Sequence, residues 1–210
     1  MNFRGSPMKK IIHDEEFVKR NFEKTLSLIK DTVKSDRKEK ILSLFDTFQV
    51  RYATAPASQQ KTYHSAFLGG LCFHNLNVLQ WVGRFASLMA KDEFTNETLL
   101  VVSLLHDIGL IGNRDKEYFI PQTSDWHLKQ GLMYEINKDI DFVKTAHRSL
   151  FLLQEFDIKL SKDEFVAILL QDGQTDHSNQ HYSNKEPKLA QILQFAKSTA
   201  TKAERDNYEY

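Results

Sequence analysis

The chain has 210 residues, 41% hydrophobic and 27% charged, ordinary values for one globular domain with a sizeable core. Lysine plus arginine equals aspartate plus glutamate at 28 each, so no global basic field draws the protein to long nucleic acid or to a membrane surface. One cysteine excludes an intrachain disulfide, and no apolar run reaches the ~18 to 20 residues of a membrane span.

Taken in chain order, the pattern is helical. Residues 1–8, "MNFRGSPM", have turn residues and no periodicity, and read as a flexible arm or an expression remnant ahead of the fold. Over 9–34, Ile11, Phe17, Val18, Phe22, Leu26, Ile29 and Val33 recur at three- and four-residue steps. Ser35 or Asp36 can cap a second helix with Ile41, Leu44, Phe45 and Phe48 inward. These N-terminal helices, 9–49, are expected to pack on a larger unit over 50–205, with a tail at 206–210. "ATAPASQQKTYHSAFLGG" then breaks the pattern and reads as a loop. The next helix places Leu71, Val78, Val82, Phe85 and Met89 on its apolar face, and His74 shares that face. Cys72 does not, and reads as core rather than nucleophile. Thr95 or Asn96 can cap "ETLLVVSLLHDIG", with Gly109 as its stop. Residues 110–138 are mixed and predict a loop or a short hairpin. Three helices are predicted after it. They cover roughly 139–156, a stretch opened by a Ser161–Glu164 capping box and ending near Gly173, and Asn184 to about Arg205 with Pro187 in its first turn. The fold class predicted is all-α, a single bundle of six or seven helices.

His106 and Asp107 end the apolar run "ETLLVVSLLHDIG", and His74 comes from the buried face of the helix before it. Two imidazoles and a carboxylate suit Mn, Fe, Zn or Ni, and Mg with added waters. A metal so held lowers the pKa of a bound water and holds phosphoryl oxygens. Each residue also has a plainer reading: the histidines as hydrogen-bonded core residues, Asp107 as the cap of a turn before Gly109. No glycine-rich phosphate loop, dinucleotide fingerprint or zinc-finger spacing is present.

"AFLGGLCFHNLNVL", followed about thirty residues later by "LLHDIG", resembles the HD superfamily of metal-dependent phosphohydrolases. The resemblance covers roughly residues 50–205. It implies an all-helical HD-domain-like fold and, in active members, hydrolysis of phosphate esters, often nucleotides. Carried over, His74, His106 and Asp107 match the first three metal ligands. Lys197 stands where the fourth ligand, an aspartate, is expected in "LAQILQFAKSTATKAE". Gln171 in "LLQDGQ" stands where a histidine is common, Leu110 where lysine is common, and Phe73 at a position that is often acidic.

Lys197 is the departure that matters. An ammonium has no lone pair to donate, and at ~4 Å from a divalent cation its repulsion is several kcal/mol even at an effective dielectric of ~20. Lys197 therefore weakens a metal, points away to solvent, or takes the metal's place against Asp107. Asp172 and His147 are the candidate substitute ligands, and Arg148 or Lys197 the candidate phosphate-neutralising groups beside a catalytic Asp107. His64 can approach a substrate phosphate. Trp126 and His127 line a pocket mouth or pack an irregular segment, and His177 and His181 read as surface. Two functions follow. In the first, the pocket binds a small phosphate ester or nucleotide, with metal-dependent hydrolysis absent or much reduced. In the second, an active HD-type hydrolase uses a divalent metal (Mn, Fe, Mg, Zn or Ni). A soluble cytoplasmic protein is expected, with no membrane and no long nucleic acid. A protein partner or homo-oligomer through the amphipathic N-terminal helix fits the pattern.

Overall fold

The computed structural model describes residues 9–10 and 14–209, so the arm expected at residues 1–8 lies outside the described residues. Asp14 caps the first helix, its Oδ1 accepting from Phe17 N at 2.8 Å, and α1 (Glu15–Thr32) buries Phe17, Phe22, Thr25 and Ile29. It starts later than the periodicity predicts. The second predicted helix is two, α2 (Lys38–Thr47) and α3 (Gln49–Thr54), with a break at Phe48.

Residues 55–69 are irregular and lie over the start of α4 (Gly70–Met89). Two glycines permit this. Gly69 has φ +83, and a Cβ on Gly70 would stand 2.0 Å from Ser65 O. The loop therefore closes against the helix that carries His74. α5 (Asn96–Leu105) is capped by Thr95, whose hydroxyl accepts from Thr98 N. Gly109 does not end it as predicted. The helix stops at Leu105 and the chain continues as a 3₁₀ turn, Ile108–Ile111. Gly109 is required there for contact: its Cβ would lie 2.6 Å from Thr145 O and 2.8 Å from Ser149 N.

The mixed segment holds a hairpin, β2 (Phe119–Pro121) antiparallel to β3 (Tyr134–Ile136), with α6 (Asp125–Lys129) between its strands. Its register pairs Ile120 with Glu135. β1 (Lys9–Lys10) pairs in parallel with β4 (Tyr208–Glu209), at the end of the chain. α7 (Thr145–Glu155), α8 (Lys162–Leu169) and α9 (Lys188–Asn207) follow. α8 opens with the predicted capping box: Ser161 Oγ accepts from Glu164 N, and Glu164 Oε2 accepts from Ser161 N. α9 runs through the first residues of the predicted tail.

The fold is predominantly α-helical. α4 is its centre, packed on α9 and α5. One end of α4 (Leu71, Cys72, Leu76) joins a core built with α1–α3, α5, the 3₁₀ turn and α7. The other end (Val78, Val82, Ala86) joins a second core built with α8 and α9. His74 lies where the two meet. Among the described residues, no helix is long and apolar enough to cross a membrane.

Candidate functional site

Two elements bring the first site residues together. α4 supplies His74, and the end of α5 supplies His106 and Asp107; all three are buried. One ligand atom from each lies within 4.8 Å of the other two. His106 still has helical backbone, and Asp107 turns out of it at φ −103, ψ 15, so adjacent side chains reach one point. His106 Nδ1 lies 2.8 Å from Ser103 O, a pure acceptor, so the ring carries its proton on Nδ1. Among the described residues, Nε2 of His106 and Nε2 of His74 are buried without a hydrogen-bond partner. Nε2 of His106 stands 3.2 Å from Asp107 Oδ2, without the alignment of a hydrogen bond. A lone pair and a carboxylate oxygen so close call for a cation between them.

One cation is at hand. The Lys197 ammonium donates to Asp107 Oδ1 at 3.1 Å, Gln171 Oε1 at 2.9 Å and Asp172 Oδ1 at 2.7 Å, which uses all three of its protons. Of the three sequence alternatives for Lys197, this contact is the one against Asp107. Gln171 is the relay: its Nε2 donates to His106 O at 2.7 Å while its Oε1 accepts from Lys197. Burial alone would push the Asp107 carboxyl up, but the charge of Lys197 holds it well below the usual aspartate range. Burial alone would lower the Lys197 ammonium, and the two carboxylates raise it instead. The ion pair is thus charged on both sides.

Behind His74 is a second buried group. Glu204 receives Ser65 Oγ at 2.6 Å, Asn77 Nδ2 at 2.9 Å and the His74 Nδ1 side at 3.0 Å. His64, expected near a substrate phosphate, instead packs its ring 4.6 Å from that of His74. Burial and the neighbouring His74 lower His64 to about 3, so it is neutral. Sequence reasoning missed Glu204. The signal was present: it continues the stripe Leu189, Leu193, Ala196, Ala200, and a carboxylate on an apolar stripe is the informative kind of buried residue.

In front of Lys197 lies an open cavity of about 460 Å³. Asp172, Lys197, Ser198, Thr201, Lys202 and Arg205 line it, while His74, His106 and Asp107 do not. Lys202 and Arg205 share Asp206 as an ion-pair partner at 3.6 and 3.1 Å, so one of their two charges is left over on that side of the cavity, while Lys197 is paired with both Asp107 and Asp172.

Two expected site residues are elsewhere. His147 is exposed on α7 and lines a separate apolar groove with Phe151 and Phe165, so it is no substitute ligand. Arg148 points inward rather than to a phosphate. It donates to Gly109 O at 3.2 Å, Asp141 O at 3.2 Å and Val143 O at 2.9 Å, and stacks 4.3 Å from the Tyr118 ring centroid. Asp172 stands at the cavity, bonded to Lys197, outside the cluster of His74, His106 and Asp107. Trp126 is 65% exposed and packs on His127, away from the cavity. His177 and His181 are surface residues. Phe73 packs against Phe17 and Phe67, and Leu110 belongs to the core.

The donor set fits a divalent transition metal. It has two imidazole Nε2 atoms without partners, one carboxylate, and proton-fixing contacts on the far side of both rings. The fourth side is held by Lys197. Comparison with known proteins finds no matching family model, no matching curated protein and no matching solved structure.

Proposed function

We propose that the protein binds a small phosphate ester or nucleotide in the cavity beside Lys197. Its metal-dependent phosphohydrolase activity, of the HD type that the sequence resembles, is absent or much reduced. The observation that carries this reading is the saturated Lys197 ammonium. It meets Asp107 where a fourth, anionic ligand would complete a metal site, and it stands between the cavity and the two histidines. A ligand phosphate entering the cavity meets Lys202 and Arg205, with Ser198 and Thr201 hydroxyls for its oxygens and the already bonded Lys197 ammonium beside them. The neutral net charge suits a small anion better than a long polyanion.

The two unpartnered Nε2 atoms favour a second reading, an active hydrolase. His74, His106 and Asp107 would hold the metal, which when bound supplies a Lewis acid and a water of lowered pKa. In that case Lys197 keeps its contact with Asp172 and adds positive charge toward the phosphate, and the surrounding apolar cores exclude bulk water.

Metal content separates the two. Protein purified without chelator or nickel affinity is expected to hold no stoichiometric Mn, Fe or Zn, to bind phosphate or a nucleotide by calorimetry, and to hydrolyse no nucleotide with added Mn²⁺. Lys197→Asp should gain Mn²⁺ or Zn²⁺ binding at one equivalent. Lys197→Gln, which removes the charge and keeps a donor for Asp107, covers the case in which the aspartate variant does not fold. Stoichiometric metal in the unaltered protein, lost in His106→Ala, would overturn the metal-free reading in favour of the hydrolase.

A further inference from the structure

His74 can carry its proton on either ring nitrogen, and the two choices make opposite pockets. With the proton on Nε2, the ring presents a donor to its neighbours in the pocket. With the proton on Nδ1, Nε2 is a lone pair. The contacts decide between them. Nδ1 lies 3.0 Å from both Glu204 oxygens, and a carboxylate offers acceptors only. The carboxylate is itself held by donors from two other elements, Ser65 Oγ in the loop before α4 and Asn77 Nδ2 on α4. Nε2 of His74 is buried and has no hydrogen-bond partner among the described residues. His74 is fully buried and Glu204 is 1% exposed, so water does not compete for either contact.

We infer that Glu204 is a positioning residue. It locks His74 in the Nδ1–H tautomer, and so makes Nε2 a fixed lone pair suited to a borderline divalent cation such as Zn²⁺. The geometry is that of a metal-binding imidazole oriented by a carboxylate behind it. Ser103 O does the same for His106 with a neutral acceptor, so the two rings present matched lone pairs beside Asp107. The metal part of this inference rests on His74 being a pocket ligand; the tautomer does not.

The test is long-range proton–nitrogen NMR of the ¹⁵N-labelled protein without metal. The His74 signals are identified by their loss in His74→Gln. Expected is a protonated Nδ1 and a bare, pyridine-type Nε2. Glu204→Gln, whose amide can donate to Nδ1, should move the proton to Nε2 wholly or in part. Zn²⁺ affinity is then read in Lys197→Gln and in Lys197→Gln combined with Glu204→Gln; the second should bind 10- to 100-fold more weakly. Phosphate binding in the cavity should not change with Glu204→Gln, so failure of the phosphate reading and failure of this one remain separate.

A His74 protonated on Nε2 in the unaltered protein overturns the inference, and so does an unchanged tautomer in a folded Glu204→Gln. If Glu204→Gln does not fold, the spectrum of the unaltered protein decides. Zn²⁺ affinity indifferent to Glu204, or no Zn²⁺ binding in Lys197→Gln, overturns the metal role. Zn²⁺ bound but lost with His64→Ala and kept with His106→Ala overturns it too, because the metal would then sit at His64, His74 and Glu204, whose ligand atoms are equally close.

Discussion

Single residues in this protein do unlike work with like chemistry. Lys197 and Arg148 are both cations close to the end of α5, and only one faces the cavity. Arg148 is 4% exposed, and its fork spans the carbonyls of Gly109, Asp141 and Val143. It ties the 3₁₀ turn and the segment before α7 to one point. Arg148→Ala is expected to destabilise the fold by about 3 kcal/mol in urea unfolding, because it strands three carbonyls and empties the space over Tyr118. Arg148→Lys should recover little, since a point charge cannot reach three acceptors set for a planar fork. Phosphate affinity should hold in both. A folded Arg148→Ala that loses phosphate affinity tenfold would return this residue to the binding site. From sequence, Arg148 and Lys197 were equal candidates for phosphate. Nothing in "TAHRSL" shows that its arginine turns toward a neighbouring turn's backbone.

At the scale of elements, helix ends are joined by charge. Arg37, ahead of α2, donates to Glu97 in the first turn of α5 at 2.9 Å and to both oxygens of Glu164 in the first turn of α8. Glu97 also accepts from the Ser35 hydroxyl and from the backbone of Lys34 and Ser35. Burial would raise the Glu97 carboxyl, but these hydrogen bonds pull it down to about 2. A depressed carboxyl pKa stabilises the fold fully above its unfolded value, near ~4.3, and that contribution is lost as pH falls toward 2. Unfolding free energy should therefore drop by about 2 kcal/mol over that window from this group, discounted for its partial exposure. Glu97→Gln should lower stability at pH 7 and flatten the acid limb. An unchanged acid limb would show that Glu97 is not the group responsible. The capping box at Ser161 was legible in the sequence because it is local, four residues that satisfy one another. The Arg37 network was not, since its partners lie 60 and 127 positions away.

At the scale of the whole molecule, the two cores share α4 and α5. Leu71 and Leu76 face one and Val78 and Val82 the other; Leu104 and Val102 divide in the same way. The N-terminal helices are part of the first core. Ile29, Val33, Ile41, Leu44, Phe45 and Tyr52 are each at most 1% exposed and pack with Leu104 and Ile108. A chain beginning at residue 55 should therefore lose cooperative unfolding and bind a hydrophobic dye, keeping helical signal without fixed packing. A cooperative melt from that fragment would mean that α1–α3 are an accessory layer. The intact chain should melt in one transition by both near- and far-ultraviolet circular dichroism.

The sequence by itself determined the helical class, the order of the main helices, the Ser161 cap, and the choice of His74, His106, Asp107 and Lys197 as the residues to watch. These follow from local periodicity, from short-range capping and from a motif resemblance. The break at Phe48, the turn that holds Gly109, the removal of His147 and Arg148 from the site, and the place of Glu204 were decided only by tertiary structure. The reason is physical. Periodicity says which face of a helix is buried but not what it meets, and a buried charge takes its character from its partner. Lys197 is a snorkelling side chain, a metal's rival or a phosphate's counter-ion according to three oxygens contributed by residues 107, 171 and 172.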